Sequence, residues 1–569
     1  MKRHPGQWFP SFMLALAAFR VGAVPGPLPR PGRDAVASAH RLATAAGLEV
    51  MRKGGNAFDA AIAVASTLGL VEPQSSGLGG GFFMLIHRAR DGREVMIDAR
   101  ETAPAAVTEA MYRKPDGTLD SRASLEGPTS AGIPGEPAGL VWVNRHYGRL
   151  SLARDLEPAI RLARQGFQPD ARFLGNLAER RALVARFPGS AGLLLPGGRV
   201  PEAGWTLRNP DYAATLERLA REGTDGFYRG ALARRMVSAM HAAGGDWTLA
   251  DLQAYRVRER APVRFHYRGF RIVTAPPPSS GGVALAEMFH MLRRDDLAVL
   301  PEPERDHLIL EAMRRAFRDH NAYLGDPDFV AMPLERLLST RYADGLRASF
   351  LPDRATPSSA LPAAPTRDPG RHTTHFSIID KAGNLVACTS TVNDLFGSGF
   401  VVPGTGFLMN DEMDDFALVP DQPNVYGLLG SQANAPDPGK RMLSSMTPSF
   451  VIGKGRALVI GSPGGSTIIT QVFGGILAFM QGGSAAQIVA TPRFHLQYLP
   501  DVVFAEPGAL PPQTTAALER MGYTVQIRPP WGKVPQFWGF MNAVVWDLKA
   551  DTLEAASDPR GTSGSGRVE

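Results

Sequence analysis

Residues 372–393 carry a row of hydroxyl and amide side chains, Thr373, Thr389, Thr391 and Asn393, around a short apolar hairpin. The pattern predicts two strands joined by the turn Lys381-Ala382-Gly383. Gly in last place suits the left-handed bulge of a three-residue hairpin loop. That loop sets the register. Asp380 faces Asn384, Ile379 faces Leu385, and Thr373 faces Thr391. Side chains alternate along a strand, so Thr389, Thr391 and Asn393 share the face of Thr373. A threonine at the open end of a hairpin becomes a self-contained catalyst if the chain is cut before it. The freed α-amine, with an unperturbed pKa of about 7.7–8, can take the proton of its own hydroxyl. Residues 351–370 (LPDRATPSSALPAAPTRDPG) hold five prolines and few large apolar groups. This run predicts a mobile arm leading to the cut, because it offers little to bury.

Further residues suit acyl chemistry. Gly461-Ser462-Pro463-Gly464-Gly465-Ser466 lies between an apolar strand pattern and a helical one. Such a loop presents free backbone N–H groups at a helix start. It lacks the Lys-Ser/Thr of a phosphate loop, so an oxyanion hole at Gly464 and Gly465 fits better. Asn410 to Phe416 packs four acids into five positions without the spacing of a calcium loop. It reads as a solvated turn or, in a pocket, as the holder of a cationic group. Leu443 to Pro448 supplies Ser444 and Ser445. Arg100 ends an apolar strand pattern, a place for a surface residue or for a bidentate carboxylate clamp.

The elements that must position these groups are legible around them. Helices are expected over 40–53 and 57–68, the second capped by Asn56 with Asp59 in its first turn. Phe82–Ile86 and Ala457–Ile460 read as buried strands, and Thr467–Met480 as an apolar helix. A further amphipathic helix is expected over 305–324, with Asp306 as its cap. The glycine run 77–81 lacks a dinucleotide fingerprint and reads as a close backbone crossing. Apolar helices mixed with apolar strands argue for stacked α and β layers. Other chemistries are missing from the sequence: there is no Gly-x-Ser-x-Gly elbow and no His-Glu-x-x-His. His372 and His375 point to opposite faces of an extended segment, so neither a metal nor another cofactor is expected.

The 569-residue chain carries a net charge of +6. It shows no dense basic patch interleaved with aromatics, which argues against nucleic acid as a partner. Residues 1–23 read as a secretory signal: Lys2 and Arg3, a short apolar core over 8–19, and a small-residue cut after Ala23. That core is too short for a stable membrane span. The single cysteine, Cys388, cannot form an internal disulfide. It is placed on the face opposite Thr391, against Phe376, as a core residue.

Taken together, these runs resemble the γ-glutamyltransferase (γ-glutamyltranspeptidase) family. They are Lys53-Gly54-Gly55-Asn56-Ala57, Glu72-Pro73-Gln74-Ser75-Ser76-Gly77, Thr373-Thr374-His375-Phe376-Ser377, Met413-Asp414-Asp415-Phe416, Leu443-Ser444-Ser445-Met446 and Gly461 to Ser466. The likeness extends from about residue 35 to 560. It is looser over 524–546, and His372 stands at a position expected to vary. The resemblance implies an α/β fold, the four-layer αββα sandwich of N-terminal nucleophile hydrolases. It also implies a precursor that cuts itself between His372 and Thr373. Residues 24–372 would form a large fragment, ending in an arm over 351–372, and 373–569 a small one, the two staying together as a heterodimer. Thr373 would be the nucleophile, Thr391 its hydrogen-bonding partner, and Gly464 and Gly465 the oxyanion donors. Arg100, Ser444 and Ser445 would hold the substrate α-carboxylate. Asn393, Glu412 and Asp415 would hold its α-ammonium, and Tyr426 would lie in a lid. The implied substrates are glutathione and related γ-glutamyl amides, with water, amino acids or peptides as acceptors, in the periplasm or outside the cell. Two other readings compete: a cephalosporin or glutaryl acylase on the same frame, and an uncut secreted binding protein.

Overall fold

The computed structural model describes residues 28–361, 373–419, 431–529 and 537–569. The expected signal (1–23), His372 and Tyr426 lie outside the described residues. Among the described residues sixteen strands are formed: β1 Ala35–Ser38, β2 Gly81–Arg88, β3 Arg93–Ala99, β4 Arg258–Arg260, β5 Val263–Tyr267, β6 Phe270–Thr274, β7 Thr374–Ile379, β8 Leu385–Thr391, β9 Ser449–Gly453, β10 Arg456–Gly461, β11 Phe494–His495, β12 Val503–Ala505, β13 Val525–Ile527, β14 Asn542–Asp547, β15 Thr552–Ser557 and β16 Ser565–Val568. One antiparallel sheet runs β16-β1-β7-β8-β2-β3-β4, and a second runs β15-β14-β10-β9-β6-β5. β11, β12 and β13 make a small third sheet.

The two large sheets face each other, with helices on their outer sides, which gives the αββα sandwich. Strand alternation divides the first sheet between two cores. Val36, Phe82, Met84, Phe376, Val386 and Cys388 pack outward with the helix Ala57–Val71. Ala37, Phe83, Leu85, Leu385 and Ala387 join the core that includes Val451, Leu458 and Val544 of the second sheet. Outside that sheet lie the helices Gly281–Met291 and Thr467–Met480, contributing Met288, Phe289, Val472 and Phe473 to the same core. Cys388 faces Phe376 and is buried, as its register requires.

Local chemistry fixes these elements. Asn56 Oδ1 accepts from the N–H groups of Phe58 and Asp59, and the Asp59 carboxylate accepts from Asn56 N–H at 2.8 Å, completing a capping box. Every residue of that helix is buried, in keeping with its apolar sequence. The hairpin turn closes as expected, with Asp380 N–H on the Asn384 carbonyl at 3.1 Å. Asp380 also accepts from Ala57 N–H at 2.9 Å and ties the turn to the helix start.

Two expectations are corrected. The long helix runs Glu302–Tyr323 and starts from Pro301, so Asp306 lies inside it and pairs with Arg305 at 2.8 Å. Proline fits a first turn, where the missing N–H has no intrahelical partner anyway. The arm expected over 351–372 is tethered along 351–361. Ala355 N–H donates to the Met521 carbonyl, Thr356 N–H to Glu311, and Ser358 N–H to Asp501, at 2.7, 3.1 and 2.8 Å. A composition poor in apolar groups misleads here, because these hydrogen bonds hold the segment together with the packing of Ala355 and Leu361 against the core.

Candidate active site

Thr373 immediately precedes β7 and is buried. The register places it opposite Thr391, and its hydroxyl lies 3.4 Å from that of Thr391. The Thr391 hydroxyl accepts from Asn393 N–H at 2.7 Å. Asn393 adopts φ +76°, a left-handed conformation that asparagine tolerates, and its side chain donates to the Asp411 carbonyl at 2.9 Å. On the same face, Thr389 lies 2.9 Å from His375 Nδ1. Burial pushes the His375 imidazole down to about 3, so the ring is neutral at physiological pH.

The glycine run brings a distant loop to this edge. A Cβ at Gly79 would sit 1.8 Å from the Leu408 carbonyl oxygen, and one at Gly80 would sit 2.0 Å from that of Thr391. Only bare backbone fits both crossings. Asn410 fastens the incoming loop, donating to the carbonyls of Gly79 and Gly132 at 2.7 and 2.8 Å. Its Oδ1 accepts from Glu412 N–H at 3.0 Å, at the start of the short helix Glu412–Asp415.

The acids are buried rather than solvated. Arg100, directly after β3, pairs with Glu412 at 2.5 Å, with Asp415, and with Glu101 at 3.5 Å. Burial opposes the Arg100 charge, but the three carboxylates outweigh it and hold the guanidinium firmly protonated. Burial raises Glu412 well above its ordinary value and raises Asp415 as well, against the pull of Arg100. It pushes Glu101 up to about 7. The arginine and the acids expected at opposite ends of a substrate thus touch one another. Arg100 also reaches the Leu443 carbonyl at 3.4 Å, one residue before Ser444. The Ser444 backbone is clamped between the Pro278 carbonyl and Ser280 N–H, both at 2.8 Å, and Ser445 follows it, nearly buried.

On the facing sheet, β10 ends at Gly461, whose Cα lies against the His375 ring. The chain then turns through Gly464, at φ +126°, into the helix Thr467–Met480. The carbonyls of Gly464 and Gly465 accept from Thr467 and Ile468 N–H at 3.1 Å. Among the described residues, neither glycine N–H has an acceptor. Sequence reasoning missed Glu101 and Asn434, and read Asp411 only as one acid of the Asn410 to Phe416 run. Asn434 accepts from Leu443 N–H at 2.9 Å and donates to the Asp415 carbonyl at 2.7 Å, joining the serine loop to the acid loop. Only Glu101 left a signal, its place beside Arg100.

A four-layer αββα sandwich with a threonine at the start of a central strand defines an N-terminal nucleophile hydrolase. The comparisons with known proteins narrow this class. The family model described as gamma-glutamyltranspeptidase matches residues 43–568. A glutathione hydrolase proenzyme of Pseudomonas sp. (strain A14) is 42% identical over 495 residues, covering 86% of this chain and 85% of its own. An acylase ACY 1 proenzyme of Pseudomonas sp. (strain V22) is 35% identical, with 92% of each chain covered. Among solved structures, a cephalosporin acylase from Bacillus halodurans superposes with a TM-score of 0.80 at 27% identity, covering 96% of this chain and 99% of its own. The chain belongs to the γ-glutamyltranspeptidase family of enzymes.

Proposed function

We propose that the protein is a γ-glutamyltransferase and glutathione hydrolase that matures by cutting itself between His372 and Thr373. The observation that carries this reading is the Thr373 hydroxyl, buried at 3.4 Å from that of Thr391, two residues before His375, whose ring lies against Gly461 at the start of the Gly464-Gly465 loop. In the precursor, Thr373 Oγ attacks the carbonyl carbon of His372. The peptide C–N bond breaks as the ester forms, and water hydrolyses that ester. The products are a carboxylate on residue 372 and a free amine on Thr373, so that large (24–372) and small (373–569) fragments remain assembled. The proenzyme names of relatives support this maturation.

In the mature enzyme the amine accepts the hydroxyl proton while Oγ attacks the γ-carbonyl of a γ-glutamyl amide. Gly464 and Gly465 N–H stabilise the oxyanion. The amine then protonates the leaving nitrogen, the C–N bond breaks, and a γ-glutamyl ester on Thr373 remains. Water releases glutamate from it, or an amino acid amine carries the glutamyl group away. Arg100 with Ser444 and Ser445 receives the α-carboxylate, and Asn393, Glu412 and Asp415 receive the α-ammonium.

The likeness to acylases gives the competing reading some weight, but three buried acids around one arginine favour a substrate that carries an ammonium. Hydrolysis of γ-glutamyl anilide is expected to exceed that of glutaryl anilide by at least about 10²-fold, the loss when buried polar groups meet no partner. Comparable rates would move the assignment to an acylase. Export is part of the proposal. It rests on residues 1–23, and no helix among the described residues is long and apolar enough to cross a membrane.

A further inference from the structure

Thr373 and Thr391 face the space between the sheets, so their neighbours Thr374 and Ser390 point to the other side of the sheet. These neighbours are directly cross-strand partners. Each hydroxyl is held by its own buried carboxyl. Thr374 Oγ donates to Glu72 at 3.2 Å, and Ser390 Oγ donates to Glu136 at 2.7 Å, with the Gly81 carbonyl a longer second acceptor at 3.2 Å. Both acids are almost completely buried, behind the sheet and away from the substrate groups. Neither is replaceable by packing alone, since a buried hydroxyl without a partner is costly.

The two acids are anchored differently. Glu72 follows the helix Ala57–Val71 and pairs with Arg172 at 3.0 Å. Arg172 stacks on the Phe540 ring at 4.2 Å. The residue before that ring, Gly539, packs on Pro463, next to the oxyanion loop's Gly464. Glu136 begins the helix Glu136–Tyr147, and its N–H donates to the Gly80 carbonyl at 3.0 Å. Gly80 in turn crosses the Thr391 carbonyl. A path of contacts thus runs from the strand start at Thr373 to the oxyanion loop, and another from Thr391 to the glycine crossing.

We propose that Glu72, with Arg172, and Glu136 are positioning residues that hold the backbones of Thr373 and Thr391 through the hydroxyls of Thr374 and Ser390. They touch no substrate. The proposal rests on Thr373 being the nucleophile, which is read first, from cutting of the parent chain at that residue. If the parent is uncut, that assignment fails before any variant is compared.

The test removes and restores the two hydroxyls in the full-length chain. Thr374→Val and Ser390→Ala are each expected to slow self-cleavage and to lower kcat about tenfold, with KM for the γ-glutamyl anilide within about twofold. A reacting group displaced by a fraction of an ångström loses rate rather than affinity. Thr374→Ser and Ser390→Thr, which keep the oxygen, are expected to recover most of the rate. The double variant Glu72→Gln with Thr374→Val should lose no more than Thr374→Val alone. Parent-like kcat and cleavage in both deletions, a change confined to KM, or failure of the hydroxyl-bearing variants to recover would each overturn the proposal. If Thr374→Val does not fold, Ser390→Ala, which removes a single oxygen, decides by the same criteria.

Discussion

The proposed reacting edge, at Thr373, and the proposed substrate-holding edge, at Arg100, are built from opposite materials. Among the described residues, the side chains that line the Thr373 edge, Thr391, Thr389 and His375, are threonine hydroxyls and a neutral imidazole, and the Gly464-Gly465 loop would add backbone N–H groups. Around Arg100 the same depth of burial holds one guanidinium and three carboxyl groups. The difference teaches a division of labour. Fixed neutral dipoles can stabilise a developing oxyanion without a counter-charge that would also trap the product. Buried charges are costly unless paired, so they suit recognition, where a zwitterion can exchange partners with them.

Substitutions can break that comparison, and the largest effect is expected at the reacting edge. Thr373→Ala should leave the precursor uncut and activity lowered by more than about 10³-fold, since nucleophile and base disappear together. Two normal fragments from that variant on a denaturing gel would refute the assignment. Gly464→Ala adds a Cβ at φ +126° and within 2.6 Å of the Thr467 hydroxyl, which would displace the proposed oxyanion donor. A fall in kcat on the order of 10²–10³-fold is expected, with KM little changed.

At the charged edge the signature should be reversed. Arg100→Ala is expected to weaken kcat/KM for glutathione by about 10²-fold, chiefly through KM, and to lower the melting temperature, because three acids lose their cation. Unchanged kinetics would remove Arg100 from the clamp. The smallest expected change sharpens the contrast from behind the neutral edge. Burial raises Glu136 to about 8 from an ordinary value of 4.5, so the folded state holds a proton that the unfolded state releases. Stability should therefore be greatest below about pH 4.5 as far as this group is concerned, and fall as pH rises through about 8. Glu101 and Asp155, raised to about 7 and about 8, add to the same fall, so in Glu136→Gln the slope of denaturant-derived stability between pH 5 and 8 should become shallower than in the parent rather than vanish. A parent-like slope would contradict the neutral carboxyl.

The two edges were also unequally legible in the sequence. The reacting edge is local: a three-residue turn at Gly383 counts the register outward to Thr373 and Thr391, and the observed pairing follows it. The helix Thr467–Met480 and its glycine loop are set by an apolar run and its breakers, and they too appear where the pattern puts them. The charged edge is assembled from residues 100–101, 411–415, 434 and 443–445, which no periodicity connects. Resemblance supplied Arg100, Glu412 and Asp415. Asn434 escaped, because an asparagine in a loop looks the same whether it caps a turn or staples two loops. The glycine run was readable as a crossing, but not as the crossing that carries the acid loop to the sheet. Residues 351–361 misled for a related reason, since their tethers are hydrogen bonds to distant groups.

The most direct test is the N-terminal sequence of the smaller fragment of the purified, active protein. The account predicts Thr-Thr-His-Phe-Ser, beginning at Thr373. An active protein with an unbroken chain there, or a fragment beginning at any other residue, would contradict it.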